Sequence, residues 1–539
     1  MNLSLKETLA LGRKKDCPAF AIETPDEYAT TNDIVAMFGD IEKAPAIVAY
    51  DIASGIRPLT PAAEGFANEM NDRIIPPGQV PEVLTYLRDN LPGEVKDNTT
   101  GEVVQKGGVV IFVGFHHCLR SPDAAFVVQA TKNMVWGFKG TRRTFIALGP
   151  ILTLPIDLQG EMLRYTVEYP TRAECEAIVR RLVTQMNEDV AAAGGVEGYV
   201  PPTDEVIERA SRSLVGLKSP GVVEQTVALS LGARFGGLSV ERINNQRVLE
   251  INSQAWFKVM NSKRTFAKDY LGYEAAVEDI LSLLESDRAN ITLVVRLEEI
   301  GDVFGGRAAG GATDGGVKDD IRQEFQNFSE DNQCLGAILY GEPGSGKSLL
   351  SECAANHLGV IGIAFDINAC LESLLGNSGI NFRSALRTLK ALAGDGTILF
   401  LATSNTLDML PQLKSRFSEG IYYFPMPEDK DVAALWAHYR KVYQIPEDDP
   451  TPVVKQWTGR EIRNCCRSAY NRRWSLAKAA QRIVPVSVEG RAEMEQRMKQ
   501  AHERLLSASK PGIYRMPSTI TPSNGQTAGQ PVRRALEVD

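Results

Sequence analysis

Residues Gly341-Glu342-Pro343-Gly344-Ser345-Gly346-Lys347-Ser348 fit the pattern G-x-x-x-x-G-K-[ST]. They follow an apolar run at 335–340 and open a helical pattern near Lys347, which is the context the motif requires. Glycines there let backbone N–H groups curl around phosphate oxygens, and the helix N-terminus adds its positive end. Lys347 is placed to reach the terminal phosphates and Ser348 to hold a divalent cation, with Leu349 completing the binding stretch. A strand, this loop and a helix commit the surrounding chain to a parallel α/β sheet.

At 539 residues the chain has room for several domains of roughly 150 residues each. The order of its patterns divides it further. Residues 46–50, 109–114 and 144–148 read as buried strands, with a helix at 121–136, so 1–170 is expected to be an α/β domain. No phosphate loop occurs in it. Residues 171–264 read as a helical region and linker, starting at Pro170-Thr171. Strand patterns at 291–297, 335–340, 360–367, 397–402 and 420–424 place an ATP-binding core at 265–427, with helices at 317–329 and 382–392 and a glycine-rich loop at 305–316. A helical lid is expected at 428–515 and a disordered tail at 516–539.

The net charge of −8 argues against a general nucleic-acid coat. The longest apolar stretch, 109–115, is too short to span a bilayer, and the N-terminus lacks a signal-peptide core, so no membrane role is expected. Eight scattered cysteines suit reduced thiols and a cytoplasmic setting.

The motif GEPGSGKS, the strand TILFLATSN and the run LPQLKSRF resemble an AAA+ ATPase module. The segment WTGREIRNCCRSAY resembles that family's C-terminal lid, with Ile462, Cys465, Cys466, Ala469 and Tyr470 on one helical face. The resemblance covers roughly residues 265–510. More narrowly, the chain is similar to the AAA ATPases encoded by tailed phages, relatives of a plastid-encoded AAA-like group, in which a degenerate NTPase-like half precedes the competent one; the resemblance implies that 1–170 is such a degenerate α/β NTPase-like domain. That origin would place it in a host cytoplasm. The resemblance implies ATP with Mg²⁺, a homo-oligomer such as a ring, and a protein or nucleic-acid partner whose identity stays open. It also implies an adenine contact around Tyr270-Leu271-Gly272, a water-orienting Asn405 and an arginine finger at Arg416.

Such a site needs an acidic pair at a strand end, one carboxylate toward the metal and one toward water. The stretch between Lys347 and Asn405 already holds two strands and two helices, leaving no room for another strand and crossover. The pair stands upstream, where 291–297 ends in Glu298-Glu299. The expected core therefore has a rearranged strand order, with Glu298 toward the metal and Glu299 toward water. The alternative is a solvated acidic turn in a protein that has lost its acidic motif. The pair reads Glu-Glu where the family writes Asp-Glu, and Arg296 interrupts the apolar strand.

Arg460 stands near a second sensor arginine of some family members, and an ordinary surface role is equally open. Leu374-Leu375-Gly376 occupies the pore-loop position without its aromatic, and His116-His117-Cys118 is better read as structural than as a metal site. Two functions follow. One is an oligomeric ATPase that remodels a macromolecular partner; the other is a nucleotide-gated scaffold with little turnover. A small-molecule kinase would leave the arginine and lid motifs unexplained.

Overall fold

The structure, a computed structural model, describes residues 3–72, 79–96, 103–119, 121–260, 263–301, 315–372, 378–407, 414–454, 456–485 and 491–516. The pore-loop residues 374–376, most of the glycine-rich loop and the tail from 517 lie outside this set. Two compact units divide the chain: Met1–Gln254 with Ile380–Asp395, and Ala255–Gly379 with Gly396–Asp539.

In the first unit, strands Gly55–Pro58, Ile47–Asp51, Val109–Phe112, Thr144–Gly149, Ala19–Glu23 and Leu163–Thr166 lie side by side in that order among the described residues. All pairs are parallel except the edge hairpin of Gly55–Pro58 on Ile47–Asp51. Alternate residues feed two cores. Val48, Val110 and Phe145 pack with helices Val80–Asn90 and Ala124–Phe138, whereas Ile47, Ile111 and Ile146 pack with Leu9 and Ile34 on the other face. A sheet covered on both faces demands continuous apolar runs, which is why Ile47–Asp51, Val109–Phe112 and Thr144–Gly149 were legible.

Ala19–Glu23 was not anticipated, because five residues with a terminal glutamate carry little periodicity. It leads through Thr24-Pro25 to Asp26, whose carboxylate accepts from Ala29 N at 2.9 Å and starts the helix Glu27–Ala36. Glu23, Asp26 and Glu27 thus stand where a phosphate loop would have glycines and a lysine. Burial pushes the Glu27 carboxyl up, and Gly114 N donates to it at 3.1 Å. Arg387, from the residues this unit takes in at Ile380–Asp395, pairs with Glu23 at 2.6 Å. Helices Arg172–Ala192, Asp204–Leu214, Pro220–Ala228 and Val240–Asn252 enclose Cys175, Val179, Leu214 and Ile243. Thr171 starts this layer with a capping box to Glu174.

In the second unit the strand order is Phe257–Val259, Ile361–Asp366, Ile291–Glu298, Thr397–Ser404, Leu335–Gly341, Ile421–Phe424 and Leu506–Ser507. Only Phe257–Val259 runs antiparallel among these pairs. The strand that precedes the phosphate loop in sequence, Ile291–Glu298, lies between Ile361–Asp366 and Thr397–Ser404, with Glu298 opposite Asp366 and Leu297 opposite Ala402. This is the rearranged order expected from the sequence, a parallel sheet flanked by helices.

Helices Asp429–Val442, Gly459–Arg472 and Leu476–Ala480 close around Trp436, Trp457, Ile462, Cys465 and Cys466 as a lid. Tyr470 departs from the expected apolar face: it is 54 % exposed, because the buried stripe ends at Ala469 and leaves it at the edge beside Tyr443. Within 428–515 the chain is not helical throughout, since Leu506–Ser507 adds to the sheet beside Tyr422-Tyr423. A two-residue strand has no period for the sequence to display.

Candidate active site

Leu335–Gly341 delivers the phosphate loop, and the helix Lys347–Leu358 begins at its end. Gly346 adopts φ +98°, a conformation that disfavours any side chain. At Gly344 (φ +87°) a Cβ would stand 2.9 Å from both Arg460 Cβ and Thr458 Oγ1, so the lid approaches the loop only because this residue is glycine. The Ser345 hydroxyl closes the turn by donating to Glu342 O at 2.8 Å.

Lys347 is only 6 % exposed, and its ammonium donates to Gly341 O at 2.7 Å, Glu342 O at 2.8 Å and Asn405 Oδ1 at 3.3 Å. Desolvation lowers its pKa to about 8, against the opposing pull of Glu299 and Glu342. From the end of Thr397–Ser404, the Asn405 amide donates to both Glu299 oxygens at 2.9 Å. Glu299 itself sits just past the end of Ile291–Glu298 at φ +45°, and its N–H donates to Thr403 Oγ1 at 3.3 Å. Thr403 in turn donates to Leu297 O at 3.3 Å, locking the two strand ends together. Lys347, Asn405 and Glu299, three residues distant in sequence, thus form one bonded line.

A cleft of about 400 Å³ opens over this line, within the size range of small-ligand sites. Pro343, Gly344, Ser345, Gly346, Lys347, Ser348 and Leu349 line it with Glu299, Asn405 and Arg460. Five residues singled out from the sequence do not: Glu298, Glu342, Gly341, Gly272 and Arg416. The Glu342 side chain turns inward to Arg497, pairing at 2.6 Å. Gly341 lies beneath the loop against Phe424. Gly272 packs on Asp431, while its neighbours Tyr270, Leu271 and Tyr273 face the cleft. Arg416 pairs with Glu330.

Glu298 is held by Arg296, whose guanidinium donates to it at 2.6 and 3.0 Å and reaches Ser348 O and Glu352 at 3.4 Å. The arginine that breaks the apolar strand therefore ties the acidic strand to the phosphate-loop helix. Among the described residues no cluster of three or more His, Cys, Asp or Glu side chains could hold a metal alone. The exposed Ser348 and the half-buried Glu298 offer only hard oxygen donors, which suit Mg²⁺ arriving with phosphates. His116 and His117 stack at 3.9 Å in the first unit, with Cys118 buried beside them.

Thr403 and Arg497 carry no sequence signal, whereas Tyr270 falls in the stretch expected to meet the adenine. The Tyr270 hydroxyl is buried without a hydrogen-bond partner among the described residues and lies near Gly346.

Two family models match parts of the chain. Residues 337–403 match the family model described as ATPase family associated with various cellular activities (AAA). The parallel sheet flanked by helices in the second unit is consistent with an AAA+ P-loop fold. Residues 5–167, ahead of that stretch, match the model described as SpoVK-like AAA ATPase, N-terminal domain. A crystal structure of the FIGL-1 AAA domain is similar at 15 % identity over 41 % of this chain and 94 % of that one, with a TM-score of 0.24. No curated protein matches the chain.

The depressed Lys347 pKa gives anion binding at this loop a pH dependence with a definite sign. Below about 8 the free ammonium is already charged, so an anionic ligand meets its counter-charge. Above it the free protein holds a neutral amine, and binding phosphate must take up a proton. Affinity for ATP should therefore fall as pH rises from about 7 to about 9, by up to roughly tenfold per unit beyond the pKa. Calorimetry in buffers of different ionisation enthalpy at about pH 9 should show the proton uptake. Affinity flat across this range would mean that Lys347 does not meet the phosphates.

Proposed function

We propose that the chain binds Mg-ATP and hydrolyses it as an oligomeric AAA+ ATPase, using the cycle to remodel a macromolecular partner. The observation that carries this reading is the line Lys347–Asn405–Glu299 beside the phosphate loop. The loop amides and Lys347 hold the phosphates. Lys347 gives up its bonds to Gly341 O and Glu342 O for phosphate oxygens. The Asn405 amide fixes the Glu299 carboxylate, which accepts a proton from the attacking water. Ser348 and Glu298 are the residues that would hold Mg²⁺, which when bound neutralises charge across the terminal phosphates. Leu271 and Gly272 are assigned to the adenine side and Arg416 to a neighbouring subunit's site.

The first unit puts Glu23, Asp26 and Glu27 where phosphates would sit, so we assign it to assembly or partner binding rather than hydrolysis. The partner is a protein or a nucleic acid. No helix among the described residues is long and apolar enough to cross a membrane, and all eight cysteines are free; we place the protein in a cytoplasm. Kinship to the phage-encoded group rests on the sequence resemblance.

Glu299→Gln tests this reading, since an amide cannot accept the water proton. Turnover should drop by about 10²-fold with ATP binding retained, and partners should be recovered on the trapped complex. Unchanged turnover would place the catalytic carboxylate elsewhere. The engagement of Glu298 by Arg296 favours a second reading, a nucleotide-gated scaffold. A parent protein that binds ATP without releasing phosphate would select it.

A further inference from the structure

Arg497 lies on the helix Arg491–Ala501, outside the cleft and far from the phosphate loop in sequence. Its guanidinium donates through Nη1 to Glu342 Oε2 at 2.6 Å and through Nε to Asn405 O at 3.0 Å; Nη2 reaches Glu493 at 3.2 Å. One planar group thus grips both the phosphate loop and the end of the strand that presents Asn405. The grip is rigidly mounted. Met494 and Ala501 are buried, the Tyr340 hydroxyl donates to Gln500 at 2.9 Å, and the chain continues into the sheet at Leu506–Ser507.

The same two segments are also tied on the cleft side, where Lys347 bonds Glu342 O and Asn405 Oδ1. A phosphate that captures the ammonium releases this second tie. From then on, the spacing between loop and strand end depends on Arg497. Resting on the nucleotide-binding reading above, we propose that Arg497 is a positioning residue, which keeps Asn405 and Glu299 in register with the phosphate loop once nucleotide has taken Lys347. It does not line the cleft, so it acts through Glu342 and Asn405.

A simpler role must be separated from this one. Glu342 is 2 % exposed, and its other oxygen has no hydrogen-bond partner among the described residues. Arg497 could then do no more than neutralise a buried acid. Arg497→Lys discriminates, because lysine restores the charge but cannot bridge two partners with a planar fork.

The experiment compares the parent, Arg497→Lys and Arg497→Ala by hydrogen exchange at 341–346 and 403–407, with and without ADP, and by turnover. Arg497→Lys should melt close to the parent. Its exchange at both segments should be about tenfold faster than the parent's, the gap widening with ADP, and kcat should fall at least tenfold at little-changed KM. Parent-like exchange in Arg497→Lys would overturn the proposal and leave charge neutralisation alone. A parent without turnover would count against the ATPase reading, while the exchange comparison still decides the role of Arg497. If Arg497→Ala fails to fold, the lysine variant suffices.

Discussion

Lys347→Ala is expected to remove ATP binding at any practical concentration. The lost ammonium makes two charge-assisted bonds to phosphate, each worth about 1.5–3 kcal/mol, so affinity should drop by about 10²–10³-fold or more. The loss should not come from unfolding. In the free protein the ammonium is buried among backbone carbonyls, and that desolvation disfavours its charged form. Lys347→Met, which keeps the stem but not the charge, should melt at or above the parent's temperature while still failing to bind. The depressed pKa has its own linkage. Between about 8 and the ordinary lysine value the unfolded chain holds more protons, so the free protein gains stability as pH rises through that window. Lys347→Met should lose this gain. Equilibrium binding with a fluorescent ATP analogue checks the main claim; an affinity within threefold of the parent would mean that nucleotide binds elsewhere.

What the sequence displayed depended on how locally each feature is encoded. The phosphate loop was legible because its eight residues are consecutive and their backbone demands are specific. The Glu298-Glu299 strand was legible from its apolar run and from the lack of room downstream of Lys347, and the sheet order follows that argument. Ala19–Glu23, Phe257–Val259 and Leu506–Ser507 were not legible. They are short, and tertiary pairing rather than periodicity makes them strands. The same limit governed the site. Motif matching could point to Asn405, but not show that its amide spans both oxygens of Glu299. Nor could it separate Arg497 from Arg491 on the same polar helix. Glu342 was read with its loop, yet its carboxylate serves the inward side. Arg296 looked like a defect in a strand, and in the fold it is what holds Glu298.

Arg416→Ala is expected to lower turnover by roughly 10³-fold while leaving nucleotide affinity nearly intact. Arg416 does not line the cleft of its own chain. It follows the strand Thr397–Ser404 in sequence and pairs with Glu330 on the helix Gly315–Asp331, beside Phe417, which stacks on Phe325 at 6.2 Å. To serve a neighbour it must leave Glu330. Both partners are partly exposed, so that step costs at most about 1 kcal/mol. A finger that stabilises the transferring phosphoryl group supplies about 4 kcal/mol or more, so leaving the local pair is favourable when a neighbour's phosphates are in reach. Glu330→Gln should therefore raise turnover slightly or leave it unchanged, since it only frees the guanidinium. Mixing Arg416→Ala with Lys347→Ala subunits should restore part of the activity, because one keeps the phosphate site and the other the finger at a shared interface. Sizing the mixture shows whether the two variants co-assemble. Co-assembly with no recovered phosphate release would remove the finger in trans, and with it the main reason for requiring a ring.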